Sequence, residues 1–269
     1  MKKFFQLLFL LSLFPAAFAQ QPDYVNGKYE GDYKNGKRHG NGRALYYDGS
    51  MYDGAWVNDT RNGVGRAIFI DGSTYYGDWR NDKRHGRGNC DFVNGDKYIG
   101  QFENDVMNGW GTYTFANGNV YIGELRNGQI TGTGKLYYPT GERYEGQFLN
   151  AQKTGKGTYY YKNGNIYEGY FVADRKEGFG KLTLASGDQY TGEFKDNSRT
   201  GKGVYVWANG DKYEGEFVNG QMHGFGTFTW ADGEKYTGNW TFNIREGQGT
   251  LVSKDGSQQM LVFENGKLQ

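Results

Sequence analysis

The sequence predicts an all-β protein, an elongated and twisted antiparallel meander of tandem β-hairpin repeats. Three observations predict it: a strict 23-residue repeat, a period-two alternation of glycine and aromatic residues within each repeat, and turn dipeptides at a fixed place. Helix is disfavoured because the chain carries 45 glycines in 269 residues, and glycine destabilises helix interiors.

The repeat is defined by the tripeptide Tyr-x-Gly, which recurs every 23 residues without insertion or deletion. Counting this tyrosine as position 0, positions 2, 11, 13 and 20 are glycine in all ten copies. Position 4 is aromatic in nine copies, with Leu125 as the exception. The copies begin at Tyr29, Tyr52, Tyr75, Tyr98, Tyr121, Tyr144, Tyr167, Tyr190, Tyr213 and Tyr236.

The spacing within each repeat predicts two short strands. Positions 0, 2 and 4 share one face of the first strand, and positions 13, 15 and 17 share one face of the second, as in Gly111, Tyr113 and Phe115. Asn-Gly or Asp-Gly follows the second strand in eight of ten copies, which favours a tight type I′ turn. Positions 6 to 11 are predicted as a longer polar loop.

Ten copies therefore give about twenty strands. Aliphatic residues are scarce, whereas 17% of the residues are aromatic, so rings are expected to supply most of the buried area. Glycines on the same face leave bare backbone on which a neighbouring ring can lie. We expect the sheet to curl around this stripe of aromatic rings and glycines.

Charge and cysteine content narrow the function classes. The formal charge of +1 gives no reason to expect a nucleic-acid partner. The single cysteine, Cys90, cannot form an internal disulfide, and at position 15 it is expected to be a small core residue.

The N-terminal segment predicts export. Lys2 and Lys3 precede an apolar run, and Ala17-Phe18-Ala19 supplies a small-x-small cleavage site. We interpret residues 1–19 as a signal peptide cleaved near Ala19, so the mature chain is expected to be periplasmic or secreted, with association with the cell envelope left open. An uncleaved anchor is disfavoured because the run is shorter than the roughly 20 residues that a span requires. The predicted segments are 1–19 (signal peptide), 20–28 (lead-in or cap), 29–256 (ten repeats) and 257–269 (a degenerate half-repeat that caps the array).

The pattern of Tyr-x-Gly-x-aromatic followed by Gly-x-Gly every 23 residues resembles the MORN repeat. The resemblance implies a twisted array of β-hairpins that serves as a scaffold, a dimerisation surface or a protein-interaction surface. Lipid binding has been proposed for the family, but it does not follow from the motif. Some relatives also carry a catalytic domain, and no segment outside the repeats of this chain is long enough to be one.

The motifs that invite a catalytic interpretation fit the repeat better. The Gly-x-Gly pairs precede strands and lack the Lys-Ser/Thr and helix of a nucleotide loop. The histidines His39, His85 and His223 all occupy position 10. The nearest pair is two repeats apart, about 19 Å by strand spacing, which is too far to share a metal. We interpret them as solvated loop residues and expect no catalytic, cofactor or metal site.

Two sets of residues are candidates for binding a partner. Cations occupy position 9 in seven copies. We expect them to form a row on the loop edge, which we call the basic ladder. This ladder either binds an anionic partner or only aids solubility. Aromatic residues at position 12 lie between the paired glycines and on the opposite face from the ring stripe, where they are either contact residues or local packing. The two sets are Arg38, Arg61, Arg84, Lys153, Lys176, Arg199 and Arg245, and Trp110, Phe179 and Phe225.

These observations favour a non-enzymatic, exported repeat scaffold that binds a protein partner or itself, with dimerisation left open. The alternative is a cell-envelope module that binds anionic lipid headgroups or a glycan through the basic ladder and exposed rings. Salt-sensitive binding to liposomes or wall fractions separates the second hypothesis from the first.

Overall fold

A computed structural model describes residues 27–269. The predicted signal peptide and residues 20–26 of the lead-in therefore lie outside the described residues. The described part of the chain forms 22 strands and no helix, so none of its segments is a helix suited to crossing a membrane. The described residues divide into two compact units, 27–134 and 135–269, and each is described by itself.

The first unit contains nine complete strands, which pair successively in antiparallel order. The unit boundary falls inside a tenth strand, β10 (Gln129–Tyr137). The nine strands are β1 (Tyr29–Lys34), β2 (Lys37–Leu45), β3 (Met51–Val57), β4 (Thr60–Ile68), β5 (Thr74–Arg80), β6 (Lys83–Asp91), β7 (Lys97–Glu103), β8 (Val106–Thr114) and β9 (Val120–Arg126).

The second unit continues with the same meander, again with antiparallel pairing between successive strands. Its strands are β11 (Arg143–Leu149), β12 (Gln152–Tyr160), β13 (Ile166–Val172), β14 (Arg175–Thr183), β15 (Gln189–Lys195), β16 (Ser198–Val206), β17 (Lys212–Val218), β18 (Gln221–Thr229), β19 (Lys235–Thr241), β20 (Ile244–Val252), β21 (Gln258–Glu264) and β22 (Lys267–Leu268). The predicted all-β meander of tandem hairpins is confirmed.

The two turns of each repeat differ from the prediction. Asn58 and Asp59, at positions 6 and 7, both have positive φ (49° and 72°), as the two central residues of a type I′ turn require. The expected long loop is therefore a two-residue turn. The Asp-Gly connection is instead a three-residue loop, in which Gly49 N donates to Tyr46 O (3.0 Å) and Gly49 alone has positive φ (87°). The prediction of a type I′ turn at Asn/Asp-Gly is wrong.

The second strand of each repeat starts earlier than the sequence suggested and contains a bulge. Gly54 pairs with Gly65 and Trp56 with Arg61, so β3 advances by two residues where β4 advances by four. The extra residues are accommodated at Gly63, whose φ is 104°. Because the number of extra residues is even, the side chains before and after the bulge keep the same face.

The core is a zigzag of rings on one face of the sheet. Tyr52 is fully buried, and its ring centroid lies 5.1 Å from that of Trp56 and 5.3 Å from that of Trp79, both edge-on. Its hydroxyl donates to Ala55 O of its own strand (3.0 Å). The ring therefore lies over the glycines of its own repeat rather than over those of a neighbour. A Cβ on Gly65 would stand 2.4 Å from Tyr52 Cζ.

The same arrangement recurs in both units. All nine tyrosines at position 0 from Tyr52 to Tyr236 are at most 1% exposed. Cys90 is 2% exposed, as expected for a core residue, and burial raises the pKa of its thiol to about 11. At the C-terminus, β21 brings Phe263 to 5.5 Å from the ring centroid of Tyr236, and β22 pairs back on β21.

The buried tyrosines make the stability of the fold sensitive to alkaline pH. Burial raises the pKa of Tyr98, Tyr190 and Tyr213 from 10.0 to about 12, because the charged phenolate is desolvated. Since the folded-state pKa is the higher one, this stability is fully present below pH 10 and is lost as the pH rises toward 12.

We expect the phenolate absorbance of the buried tyrosines to rise steeply between about pH 10 and 12. The β-sheet circular dichroism signal should be lost over the same range. The chain in guanidinium chloride is the control, where all tyrosines titrate near pKa 10. Complete phenolate formation near pH 10 with the sheet intact would contradict the prediction.

Candidate functional site

The position-9 cations lie in the second strand with their side chains on the ring face. The prediction that they stand on a loop edge is wrong. The guanidinium carbon of Arg61 is 4.2 Å from the ring centroid of Trp79 and 5.7 Å from that of Tyr52, distances at which cations are attracted to aromatic faces. Its side chain is only 12% exposed.

Asp82 in the turn of the following repeat holds Arg61 in place. Arg61 Nε lies 3.2 Å from Asp82 Oδ1, and Arg61 Nη2 donates to Asp82 O (2.7 Å). The backbone N–H of Arg61 donates to the same carboxylate (2.9 Å). Equivalent ion pairs join Arg38 to Asp59, Arg84 to Asp105 and Lys153 to Asp174.

The acid occurs only where a cation precedes it. Position 9 is apolar at Met107, Ile130 and Met222, and the facing turn residues are then Gly128, Ala151 and Asn243. In the remaining three copies the cation is present but the acid is not. Lys176, Arg199 and Arg245 face Asn197, Gly220 and Gly266.

Removing one of these acids is predicted to destabilise the first unit. In Asp82→Gly, the 12%-exposed Arg61 loses its ion pair, and we expect a loss of about 2 kcal/mol in the free energy of unfolding. The double variant Arg61→Met/Asp82→Gly reproduces the natural Met107–Gly128 combination and should recover most of this loss.

Urea unfolding of the single and double variants measures the two values. A double variant no more stable than Asp82→Gly would show that the ion pair does not explain why the acid occurs only with a cation at position 9.

Polar side chains at position 3, on the outward face, also have structural roles. Asp78 Oδ2 accepts a hydrogen bond from the backbone N–H of Arg87 beside the bulge (2.9 Å), and Gln101 Oε1 accepts one from that of Trp110 (2.7 Å). In these copies, position 3 therefore supplies an acceptor for a backbone donor that the bulge leaves unpaired.

The position-12 aromatic residues lie on the outward face, as predicted. Trp110, Phe179 and Phe225 are 55%, 59% and 58% exposed. Trp110 lies in the fourth copy, in the first unit, and Phe179 and Phe225 lie in the seventh and ninth copies, in the second unit.

Sequence reasoning missed that Trp110 belongs to a larger apolar patch in the first unit. Tyr76 and Ile99 flank Asn89 across the strands, and Ile99 faces Thr112, which pairs with Ile122. Tyr76, Ile99 and Ile122 are 57%, 58% and 39% exposed. These three residues and Trp110 form the surface that we call the outward patch.

A shallow pocket of about 340 Å³ opens in the outward patch. Ile99 and Trp110 form its apolar wall, and Arg87, Asn89 and Gln101 supply polar groups. The sequence signal that was available is the apolar residue at position 1, where other copies place Glu, Asp or Thr.

The histidines differ from the sequence interpretation. His39, His85 and His223 lie in second strands and are half-buried, so they are not solvated loop residues. Their Nδ1 atoms are buried without a hydrogen-bond partner. Within residues 27–269, no group of three or more His, Cys, Asp or Glu side chains is arranged to hold a metal.

The repeated pairs of antiparallel strands define a tandem β-hairpin repeat protein. The profile of the MORN repeat matches ten consecutive segments, and the chain belongs to the MORN repeat family. The matched segments are residues 29–51, 52–74, 75–97, 98–120, 121–143, 144–166, 167–189, 190–212, 213–235 and 236–258.

Solved structures show weaker similarity. The TCP10 domain of Danio rerio CPAP in complex with a STIL peptide is 11% identical, with a TM-score of 0.42, and the match covers 87% of this chain and 98% of that one. The TCP domain of Drosophila melanogaster SAS-4 in complex with a proline-rich motif of Ana2 is 15% identical, with a TM-score of 0.38 and coverage of 66% and 90%. These similarities are too low to bear on function. No curated protein matches the chain.

Proposed function

We propose that the chain is a non-enzymatic, exported repeat scaffold that binds a protein partner, or a second copy of itself, through the outward face of its sheet. Membership of the MORN repeat family supports a scaffold. The observation that carries the proposal is the outward patch, where two aromatic and two aliphatic side chains on β5, β7, β8 and β9 are 39–58% exposed.

The composition of the outward patch fits a protein interface. Trp and Tyr are enriched among residues that contribute most to binding, and such residues cluster in pockets surrounded by polar groups. Trp110 beside Arg87 and Gln101 has this arrangement. Exposed apolar side chains gathered on one face also promote aggregation unless a partner covers them.

The alternative of an anionic lipid or glycan ligand has less support from the basic ladder. Four of its seven cations are ion-paired with an acid of the same chain, so their charge is already neutralised. The exposed rings of Phe179 and Phe225 remain as candidates for stacking on a sugar.

The test compares the mature chain with Trp110→Thr, which places at position 12 the residue that copy five already carries there. Gln248→Thr, an exposed position-12 residue of the second unit, is the matched control. Self-association by light scattering and protein capture from envelope extract are measured beside sedimentation with anionic liposomes and wall fractions.

We expect Trp110→Thr to weaken self-association or capture at least about tenfold, which corresponds to 1.4 kcal/mol, with no change in the control. Binding confined to liposomes or wall material, or protein binding indifferent to Trp110, would overturn the proposal.

A further inference from the structure

The second unit carries two neighbouring position-9 cations that no acid neutralises. Lys176 and Arg199 occupy successive repeats, about 10 Å apart by strand spacing. Where the first unit places an aspartate in the facing turn, these copies have Asn197 and Gly220. Neither cation makes an ion pair within the described residues 27–269.

Lys176 is enclosed by rings rather than by acids. Its Nζ lies 5.6 Å from the ring centroid of Tyr161, 5.3 Å from that of Tyr167 and 5.6 Å from that of Phe194. Burial, and secondarily the charge of Arg199, lowers the pKa of Lys176. By contrast, at Lys153, in the same repeat position, burial would lower the pKa but is outweighed by Tyr138 and Asp174, so the pKa is raised.

Arg199 leaves room for an acid at the facing turn. Its Nη2 donates to the backbone oxygen of Gly220 (2.7 Å), just as Arg61 Nη2 donates to the backbone oxygen of Asp82. A Cβ on Gly220 would lie 3.6 Å from Arg199 Nη2 and 3.7 Å from Arg199 Nε, both ordinary contacts, and would meet no atom of another residue within 4 Å. The place that a carboxylate occupies in other repeats is therefore accessible here.

The nearby acids are engaged elsewhere. Asp196 forms an ion pair with Arg175 (2.8 Å). Glu177 Oε2 accepts a hydrogen bond from the backbone N–H of Asp196 (3.0 Å), and Asp188 Oδ2 accepts one from the hydroxyl of Tyr205 (2.9 Å).

We infer that Lys176 and Arg199 bind two carboxylates of an acidic peptide segment. The carboxylate at Arg199 takes the place that an aspartate takes in the paired repeats. At Lys176, Asn197 Oδ1 already accepts the backbone N–H (2.9 Å), and the second carboxylate pairs with the ammonium group alone. Two acids three residues apart span about 9–10 Å on one face of a polyproline II segment, which matches the spacing of the cations. The inference rests on the proposed function, since the segment would belong to the protein partner.

The test uses the mature chain and a synthetic Gly/Ser peptide that contains Glu-x-x-Glu, with Gln-x-x-Gln as its control. Lys176→Met/Arg199→Met removes both cations and places there the residue that copies four and nine carry. Asn197→Asp/Gly220→Asp keeps the cations but supplies the two carboxylates internally, at turn residues whose φ (71° and 82°) is close to the 64–72° of the native aspartates.

We expect the Glu peptide to bind, and both double variants to weaken it at least about tenfold while remaining folded by circular dichroism. Arg61→Met/Asp82→Gly, which removes an already paired cation, should leave peptide affinity unchanged. Peptide binding should also slow acylation of Lys176 by an amine-reactive probe, read by mass spectrometry.

Three results would overturn the inference: no selectivity for Glu over Gln, affinity unchanged in both unit-two variants, or a site that prefers anionic phospholipid vesicles to the peptide. The outcome is separable from that of the proposed function. If Trp110→Thr loses partner binding but keeps peptide binding, the outward patch binds the partner independently of the cations. If partner binding is unaffected by Trp110→Thr while the cation variants lose peptide binding, only the cation site is supported.

Discussion

Replacing Gly65 by alanine is expected to destabilise the first unit by about 3 kcal/mol or more. The new Cβ would stand 2.2 Å from Tyr52 Oη and 2.4 Å from Tyr52 Cζ, well inside contact distance. The ring cannot move aside, because it is fully buried and packed edge-on between Trp56 and Trp79. Overpacking of a close-packed interior costs 1–3 kcal/mol and sometimes more.

The matched control is Gly72→Ala in the loop of the same repeat. Gly72 has positive φ (86°), but a Cβ there would meet nothing within 4 Å, so only backbone strain of about 1–2 kcal/mol is expected. Thermal unfolding followed by near-ultraviolet circular dichroism measures both. Equal losses in the two variants would show that the tyrosine does not require a bare glycine beneath it.

Replacing Tyr144 by alanine is expected to cost the second unit about 4 kcal/mol. Its ring is fully buried, with centroids 5.1 Å from Phe148 and 5.0 Å from Phe171. The substitution removes both edge-on contacts and the hydrogen bond from its hydroxyl to Gln147 O (3.1 Å). Since each repeat is stabilised by its neighbours, the loss is expected to spread to the adjacent hairpins.

Tyr170→Ala is the control, because that ring is 43% exposed on the outward face. We expect it to lower the free energy of unfolding by less than about 1 kcal/mol. Hydrogen exchange should show faster opening of β11 to β14 in Tyr144→Ala but not in Tyr170→Ala. A uniform, small effect in both would contradict a core built from the position-0 rings.

The repeat and the two faces of the sheet were predictable because side chains alternate with period two. Tyr52, Gly54 and Trp56 could only share a face, and their burial follows. The turns were not predictable in the same way. Asn and Asp adopt the left-handed conformation with little cost, so Asn58-Asp59 reads as polar loop although it forms the tighter turn.

The cation site was missed for a related reason. Gly63 introduces a bulge, and the glycine-rich segment around it has no alternation of polar and apolar residues. The strand therefore appeared to begin after the bulge, which put Arg61 on a loop. Its partner Asp82 lies 21 residues further along the chain, and only the stacking of successive hairpins brings the two together.

That cross-repeat pairing bears on how such a chain can change length in evolution. Excision of residues 75–97 would leave Arg61 facing Asp105, another aspartate in the same turn position, and the new junction would be electrostatically complete. Excision of residues 98–120 would instead leave Arg84 facing Gly128. Deletion of a whole repeat is thus expected to preserve stability at some junctions and to lower it at others. Selection can therefore act on the order of the copies, which a consensus motif does not describe.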